Sequence, residues 1–253
     1  MPVPVGAQLY TVRDKMRKPK HIEATLTRVA EIGYEYVQLS GFDYELVWMR
    51  ALCDRLGLKI RLTHVRGITN PILNDPEGLI EEHRILGCPY IGLGGMPGQY
   101  RCAGGGRQFV EDYTPSMKKF AEAGLKFQYH NHAWEFIKYG GKTLFDELVE
   151  ASDPALMGFT LDTYWVQAGG VDVVDLIRKL KGRIDVCHYK DMSIHKDKEQ
   201  RMAAIGSGNL NWPGIIAAFE DIGTKYAFVE QDDCYGEDSL DELEKSFQFL
   251  QGI

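Results

Sequence analysis

The sequence predicts an α/β barrel of eight parallel strands that alternate with helices, and two observations predict it. The first is a repeated unit in which an amphipathic stretch ends at a glycine and an apolar run follows within a few residues. The second is length, because 253 residues divided among eight units give about 32 residues each, enough for one strand and one helix. Strands that alternate with helices form a parallel sheet, and eight of them close into a barrel. We therefore expect one (β/α)8 barrel domain over residues 1–253.

The eight predicted strands are apolar, β-branched or aromatic runs, and six of them follow a glycine that ends a helix. These glycines are Gly33, Gly57, Gly87, Gly124, Gly182 and Gly223, and the strands after them begin at residues 36, 59, 90, 126, 184 and 226. Strands at 5–10 and 157–161 complete the set. No Gly-x-Gly-x-x-Gly follows the first strand, which argues against a doubly wound sheet. The glycine-rich segment 94–106 is interpreted as a rim loop.

Composition narrows the class of protein. The chain is 44% hydrophobic and 26% charged, and it has neither a long apolar run nor a charged segment followed by an apolar one at its start, so we expect a cytoplasmic protein without a membrane partner. The formal charge of −7 disfavours nucleic acid as a partner and favours a neutral polyol or a metal-bridged ligand. The odd, scattered cysteines predict reduced thiols: Cys53, Cys88, Cys102, Cys187 and Cys234. A homo-oligomer is possible.

Polar side chains collect where four of the late strands end. The fifth strand ends in Tyr-His-Asn-His at 129–132, the sixth in Leu-Asp-Thr at 161–163, the seventh in His-Tyr-Lys-Asp at 188–191, and the eighth in Val-Glu at 229–230. In an α/β barrel the active site is built at the C-terminal ends of the strands. Side chains alternate along a strand, so His130 and His132 share a face. Imidazoles and carboxylates at such positions predict a site for manganese, cobalt, magnesium or zinc.

The chain resembles the sugar phosphate isomerase/epimerase superfamily with a xylose isomerase-like barrel. That superfamily includes ketose 3-epimerases, hydroxypyruvate isomerase, inosose dehydratase and, more distantly, endonuclease IV. The resemblance covers almost the whole chain and rests on six segments. They are Gly6-Ala7-Gln8-Leu9-Tyr10-Thr11-Val12-Arg13, the run from Tyr129 to Phe136, Leu161-Asp162-Thr163, His188-Tyr189-Lys190-Asp191, the loop from Gly206 to Trp212, and Val229-Glu230.

The resemblance implies four metal ligands, one from each of the last four strands. Asp162, His188 and Glu230 match three of them. Ketose epimerases carry a glutamate at the strand-five position, where this chain has His130, and Glu135 is the alternative ligand. We favour His130.

In the epimerases, the strand-five and strand-eight glutamates transfer protons beside a carbonyl through an enediolate. Glu230 is therefore expected to be both ligand and base, with His132 or Glu135 as the second acid or base. A metal-dependent sugar isomerase or epimerase is the leading hypothesis. If the second group protonates a leaving hydroxyl, the result is β-elimination by an inosose dehydratase or a 3-keto-sugar lyase. An endonuclease IV-like phosphodiesterase and a non-catalytic sugar-binding barrel are further alternatives.

Further residues are expected to contact the substrate. Lys190 lies on the same strand face as His188 and is a candidate for binding a substrate hydroxyl or the enolate oxygen, or else a surface lysine paired with Asp191. His64, at the end of strand three, is placed to bind polyol hydroxyls. Aromatic residues after the metal strands are candidates for the pocket wall: Trp134, Tyr164 and Trp165. Weaker rim candidates are Gln8, Tyr10 and Gln38.

Overall fold

Eight parallel strands close into a barrel in the computed structural model, which describes residues 2–65 and 70–253. The strands are β1 (Val5–Gln8), β2 (Tyr36–Leu39), β3 (Lys59–His64), β4 (Tyr90–Leu93), β5 (Lys126–His130), β6 (Met157–Asp162), β7 (Val186–Tyr189) and β8 (Tyr226–Val229). Neighbours around the barrel follow the order β1-β8-β7-β6-β5-β4-β3-β2, and all eight pairs are parallel. The predicted (β/α)8 barrel is confirmed.

Helices separate every strand from the next and surround the barrel. The α-helices are Pro19–Ile32, Leu46–Leu56, Pro71–Asn74, Pro76–Leu86, Gly105–Glu122, Leu144–Ala151, Thr163–Ala168, Val173–Lys179, Trp212–Ile222 and Ser239–Gln251. Short 3-10 helices cover Leu9–Lys15, Gly98–Tyr100 and Trp134–Phe136. Among the helices of the described residues, none combines the length and the apolar character needed to cross a bilayer.

Helix-ending glycines occupy the conformation that the repeated unit predicts. Gly33, Gly57, Gly87 and Gly223 each cap a helix with a positive φ, and the backbone N–H groups of these residues bond to carbonyls of the last turn. A residue with a Cβ is strained at such an angle, which is why the repeat shows glycine there. Two predicted strand boundaries are wrong. β1 stops at Gln8 because its side-chain oxygen accepts a hydrogen bond from the N–H of Tyr10 at 3.0 Å and caps a 3-10 helix, and β7 begins two residues after Ile184.

The alternation of side chains on β5 separates the packing from the chemistry. Tyr129 is fully buried and packs edge-to-face on Phe109 of the helix Gly105–Glu122, with ring centroids 5.4 Å apart. His130, one residue later, faces the interior and lines a cavity at the end of the barrel. The helix layer is therefore stabilised by one set of strand residues while the other set is free to carry polar groups.

Two hairpins are inserted at the C-terminal end of the strands. Lys138–Tyr139 pairs antiparallel with Lys142–Thr143 after β5, and Asp191–Ile194 pairs with Gln200–Ala203 after β7. The segment 94–106, interpreted as a rim loop, contains a 3-10 helix and the first two residues of the helix that begins at Gly105. These insertions place extra backbone around the rim where the polar strand ends emerge.

We expect Phe109→Ala to lower the free energy of unfolding by about 3–5 kcal/mol, because this buried ring is stacked on Tyr113 at 4.0 Å and no other group fills its volume. Urea denaturation measures the effect. The matched control is Val47→Ala, at a helix position that is 63% exposed, which should change stability by less than about 0.5 kcal/mol. Equal effects in the two variants would contradict the assignment of Phe109 to the core.

Candidate metal centre and active site

Four buried side chains from four consecutive strands meet at the C-terminal end of the barrel. His130, Asp162, His188 and Glu230 each offer one nitrogen or oxygen, and these four atoms lie within 4.8 Å of one another. Oδ2 of Asp162 is 3.2 Å from Nε2 of His130 and 3.7 Å from Nδ1 of His188. Oε2 of Glu230 is 2.9 Å from the same Nδ1. The structure thus brings the whole predicted ligand set together.

Hydrogen bonds on the outer nitrogens orient both imidazoles. Nε2 of His188 lies 2.7 Å from Oε1 of Gln38, which is an acceptor, so this nitrogen carries the proton and Nδ1 turns towards the group. Nδ1 of His130 lies 3.2 Å from the carbonyl oxygen of Gly94, which leaves Nε2 towards the group. A Cβ at position 94 would lie 3.0 Å from Nδ1 of His64. Glycine at this position therefore lets the carbonyl approach the histidine rings. Two fixed imidazoles therefore present a free nitrogen to the same small volume.

The donor set fits a divalent ion. Nδ1 of His188 is buried and makes no hydrogen bond, and the Oε2 atom of Glu230 lies 2.9 Å away from it. Buried polar atoms in proteins are normally paired, so an orphaned ligand nitrogen beside two carboxylates indicates a cation that binds there. Two imidazoles and two carboxylates are ligands for borderline and hard divalent metals. His130, Asp162, His188 and Glu230 are thus the residues that could hold the ion.

Lys190 contributes a positive charge inside this group. Its side chain is 1% exposed, and its Nζ lies 3.1 Å from Oδ2 of Asp162 and 2.8 Å from Oε2 of Glu230. The ammonium also donates hydrogen bonds to both carboxylate oxygens of Asp232, at 3.0 and 3.1 Å. The alternative of a surface lysine paired with Asp191 is wrong, because the Asp191 carboxylate instead accepts backbone N–H groups of the loop at 206–210.

Burial and opposite charges act against each other on the pKa values of the group. Burial raises the pKa of a carboxyl, but the Lys190 ammonium and the neighbouring histidines outweigh it and lower the pKa of Asp162 and of Glu230. Burial lowers the pKa of an imidazole, yet the Glu230 and Asp162 carboxylates reverse this and raise the pKa of His188. For His130, burial and the neighbouring His188 prevail and lower the pKa. Both carboxylates are therefore ionised and ready to bind a cation.

A cavity of about 290 Å³ opens directly above the group. Its lining residues come from the ends of seven strands and the loops after them: Tyr10, Ser40, His64, Val65, Gly94, His130, His132, Lys190, Glu230 and Asp232. Nε2 of His64 is buried in the wall without a hydrogen-bond partner. The volume suits a small polar molecule, and the predicted substrate residues His64 and Lys190 both face it.

Aromatic side chains form one side of this region. His132 stacks on Trp134 with ring centroids 4.2 Å apart, and Trp165 lies 5.2 Å from His132 and 5.6 Å from the Lys190 ammonium. Burial and then the neighbouring His130 lower the pKa of His132 to about 3, so this imidazole is neutral at physiological pH. The remaining predicted wall residue, Tyr164, packs instead against Met192 and Met202.

Glu135, the alternative ligand and a candidate second acid or base, lies outside the group of four. Its carboxylate accepts hydrogen bonds from the Tyr129 hydroxyl at 2.6 Å and from the His132 N–H at 2.9 Å. Because Tyr129 points away from the barrel interior, Glu135 follows it to the outer side of β5. The strand-five member of the group is therefore His130.

The structure adds Asp232 to the site and gives Gln38 a defined contact there. Asp232 follows Glu230 by two residues, so both side chains lie on the same side of the chain and line the cavity. This spacing is the sequence signal that could have identified Asp232. Gln38, a weak rim candidate, bonds to His188 across the barrel. Of the other rim candidates, Tyr10 lines the cavity, whereas Gln8 caps the helix after β1.

Comparison with known proteins places the chain in a family. The model of the xylose isomerase-like TIM barrel family matches residues 26–253, and the chain belongs to this family. Inosose dehydratase of Geobacillus kaustophilus (strain HTA426) is 35% identical over 71 residues, which cover 28% of this chain and 22% of that protein. The match thus spans about a fifth of the relative's length.

Solved structures share the barrel at low sequence identity. A sugar phosphate isomerase/epimerase from Parabacteroides distasonis ATCC 8503 superposes with a TM-score of 0.83 at 21% identity, over 98% of both chains. The IolI protein, solved with a zinc atom, superposes with a TM-score of 0.69 at 13% identity, over 99% of this chain and 96% of that one. Both structures therefore share the barrel fold with this chain.

We expect His130→Ala to weaken zinc binding by at least about tenfold, because it removes a ligand atom, whereas Glu135→Gln should leave the dissociation constant within about threefold. Isothermal titration of chelator-treated protein measures both constants. His188→Ala and Asp162→Ala should behave like His130→Ala and remain folded by circular dichroism, since apolar residues build the core. The reverse order for His130 and Glu135 would move the ligand to the loop.

The buried carboxyl of Glu135 predicts a pH dependence of stability. Burial raises its pKa from 4.5 to about 7, so between these values the folded chain retains a proton that the unfolded chain releases. The associated stabilisation is complete below the lower value and is lost as pH rises through the higher one. Relative to Glu135→Gln, the free energy of unfolding of the wild type should fall by about 3 kcal/mol from pH 4 to pH 8. Urea denaturation with chelator present tests this, and a difference independent of pH would contradict it.

Proposed function

We propose that the chain is a divalent-metal-dependent isomerase or epimerase of a sugar-like polyol that removes a proton beside a carbonyl. The observation that carries this proposal is the buried group of His130, Asp162, His188 and Glu230 under a polar cavity. The likeness to a sugar phosphate isomerase/epimerase and to a zinc-bound barrel supports it. A divalent ion at this group supplies positive charge that polarises a carbonyl.

Glu230 is the base in this proposal. It lies at the cavity wall, and a carboxylate that binds an ion through one oxygen presents the other to a substrate C–H. Lys190 lies 2.8 Å from Glu230 and can donate to the oxygen on which negative charge develops in the enediolate. His64 would bind a hydroxyl through its unpartnered Nε2.

The cavity favours a single carboxylate base. The carboxylates that line it among the described residues, Glu230 and Asp232, both follow β8. The wall from β5 offers His132, whose low pKa makes it a weak base. Isomerisation needs a single base that removes a proton and returns it to the adjacent carbon on the same face, while the hydroxyl proton passes to the former carbonyl oxygen. We therefore favour this outcome over epimerisation, which needs a base on each face.

β-Elimination is the second candidate, as in an inosose dehydratase or a 3-keto-sugar lyase. Two observations favour it: the partial match to inosose dehydratase, and the buried ammonium of Lys190, which can give a proton to a leaving hydroxyl. Isomerisation and β-elimination both begin with removal of a proton by Glu230. They differ in the next step, because β-elimination releases water or an aglycone and isomerisation releases nothing.

Glu230→Gln tests the shared step. With metal content measured and saturating manganese present, the variant should turn over about 10²- to 10⁴-fold more slowly, because the amide keeps the shape and an oxygen donor but cannot accept the proton. In deuterium oxide, a panel of ketoses and inososes is followed by NMR for exchange beside the carbonyl, and by mass spectrometry for loss of water. Wild-type protein should exchange this hydrogen, and the variant should not.

The matched control is Glu35→Gln, on a 68% exposed side chain before β2 at the opposite end of the barrel, which should exchange like the wild type. Metal-loaded Glu230→Gln that exchanges at the wild-type rate would show that Glu230 is at most a ligand. Loss of water from the substrate would select the second candidate over isomerisation.

A further inference from the structure

We propose that Lys190 is an internal counterion that competes with the divalent ion for Asp162 and Glu230, and that Asp232 receives its ammonium when the ion binds. Lys190 acts in this way only if the metal centre of the proposed function exists. Its role then goes beyond substrate contact, because it sets how tightly the ion is held.

The first argument is the position of the ammonium. Nζ contacts Oδ2 of Asp162 and Oε2 of Glu230, the same two oxygens that face the free nitrogens of the imidazoles. An ion bound between these ligands must share the two oxygens with a positive charge at short range. Like charges at such distances inside a protein repel strongly, so the ammonium and the ion cannot both keep their best positions.

The second argument is that a place for the displaced ammonium is already built. Both oxygens of Asp232 accept hydrogen bonds from Nζ. The backbone of Asp232 is held on both sides, because its carbonyl accepts from the Arg13 guanidinium at 2.8 Å and its N–H donates to the Met202 sulfur at 3.2 Å. The long, flexible lysine stem therefore lets Nζ leave Asp162 and Glu230 while it remains bound to Asp232.

The third argument is the charge of the site. Asp162, Glu230 and Asp232 with Lys190 give three negative charges and one positive, a formal charge of −2 that a divalent ion neutralises. Without the ion, Lys190 compensates two buried carboxylates whose desolvation would otherwise oppose folding. The lysine thus stabilises the metal-free protein and lowers its affinity for metal at the same time.

The test is isothermal titration of chelator-treated protein with manganese chloride and zinc chloride, without substrate. Lys190→Gln should bind each ion at least about tenfold more tightly than the wild type, while the melting temperature of its metal-free form falls. Asp232→Asn should bind at least about tenfold more weakly, because the ammonium loses its second position. In the Lys190→Gln background, the Asp232→Asn change should lose most of this effect, since no ammonium remains to be received.

Lys190→Arg keeps the charge and should not gain affinity. The matched controls are Lys59→Gln and Glu35→Gln, an exposed pair at the opposite end of the barrel, which should bind like the wild type. Unchanged or weaker binding by Lys190→Gln would overturn the proposal and show that Lys190 supports the ligands. If Lys190→Gln does not fold without metal, unchanged binding by Asp232→Asn overturns it. Wild-type protein that binds neither ion would refute the metal centre of the proposed function itself.

Discussion

Two ionised carboxylates buried at one end of the barrel impose the main physical constraint on this molecule. Asp162 and Glu230 lie at 0% and 4% exposure, and a buried charge is tolerated only where it is paired or bonded. Much of the surrounding structure meets that requirement. The imidazole of His188 and the ammonium of Lys190 approach from β7, and Oδ1 of Asp162 accepts the N–H of Trp165 at 3.0 Å.

Much of the fold follows from local signals in the sequence. A glycine that ends a helix precedes six of the strands in the sequence. The glycines that end the helices 19–32, 46–56, 76–86 and 212–222 adopt the expected left-handed conformation. The end of β1 escaped this reasoning because a side-chain cap, the Gln8 oxygen on the Tyr10 N–H, competes with strand propensity. The inserted hairpins carry no comparable signal, since their strands are only two to four residues long.

The sequence predicts which residues form the site, but not which of their neighbours are buried with them. These four residues lie at the C-terminal ends of four consecutive strands, and that position brings them together: His130, Asp162, His188 and Glu230. The same reasoning left Glu135 as an alternative, because a loop residue has no fixed face, and in the structure Glu135 bonds to the Tyr129 hydroxyl on the outer side of the strand. It also left open whether Lys190 is buried, since burial depends on Asp232, which approaches from a different strand.

The hydrogen bond between Gln38 and His188 joins residues that are 150 positions apart and lie on β2 and β7. Glu230 comes from the last strand, which pairs with the first. The centre is therefore a property of the closed ring and of no fragment of it. During synthesis, a nascent chain has its early strands long before it has a place for an ion, so folding of the first half proceeds without help from a ligand. Once the ring has closed, Gln38 from the first half fixes the imidazole of His188, and the four residues that could hold an ion all come from the second half.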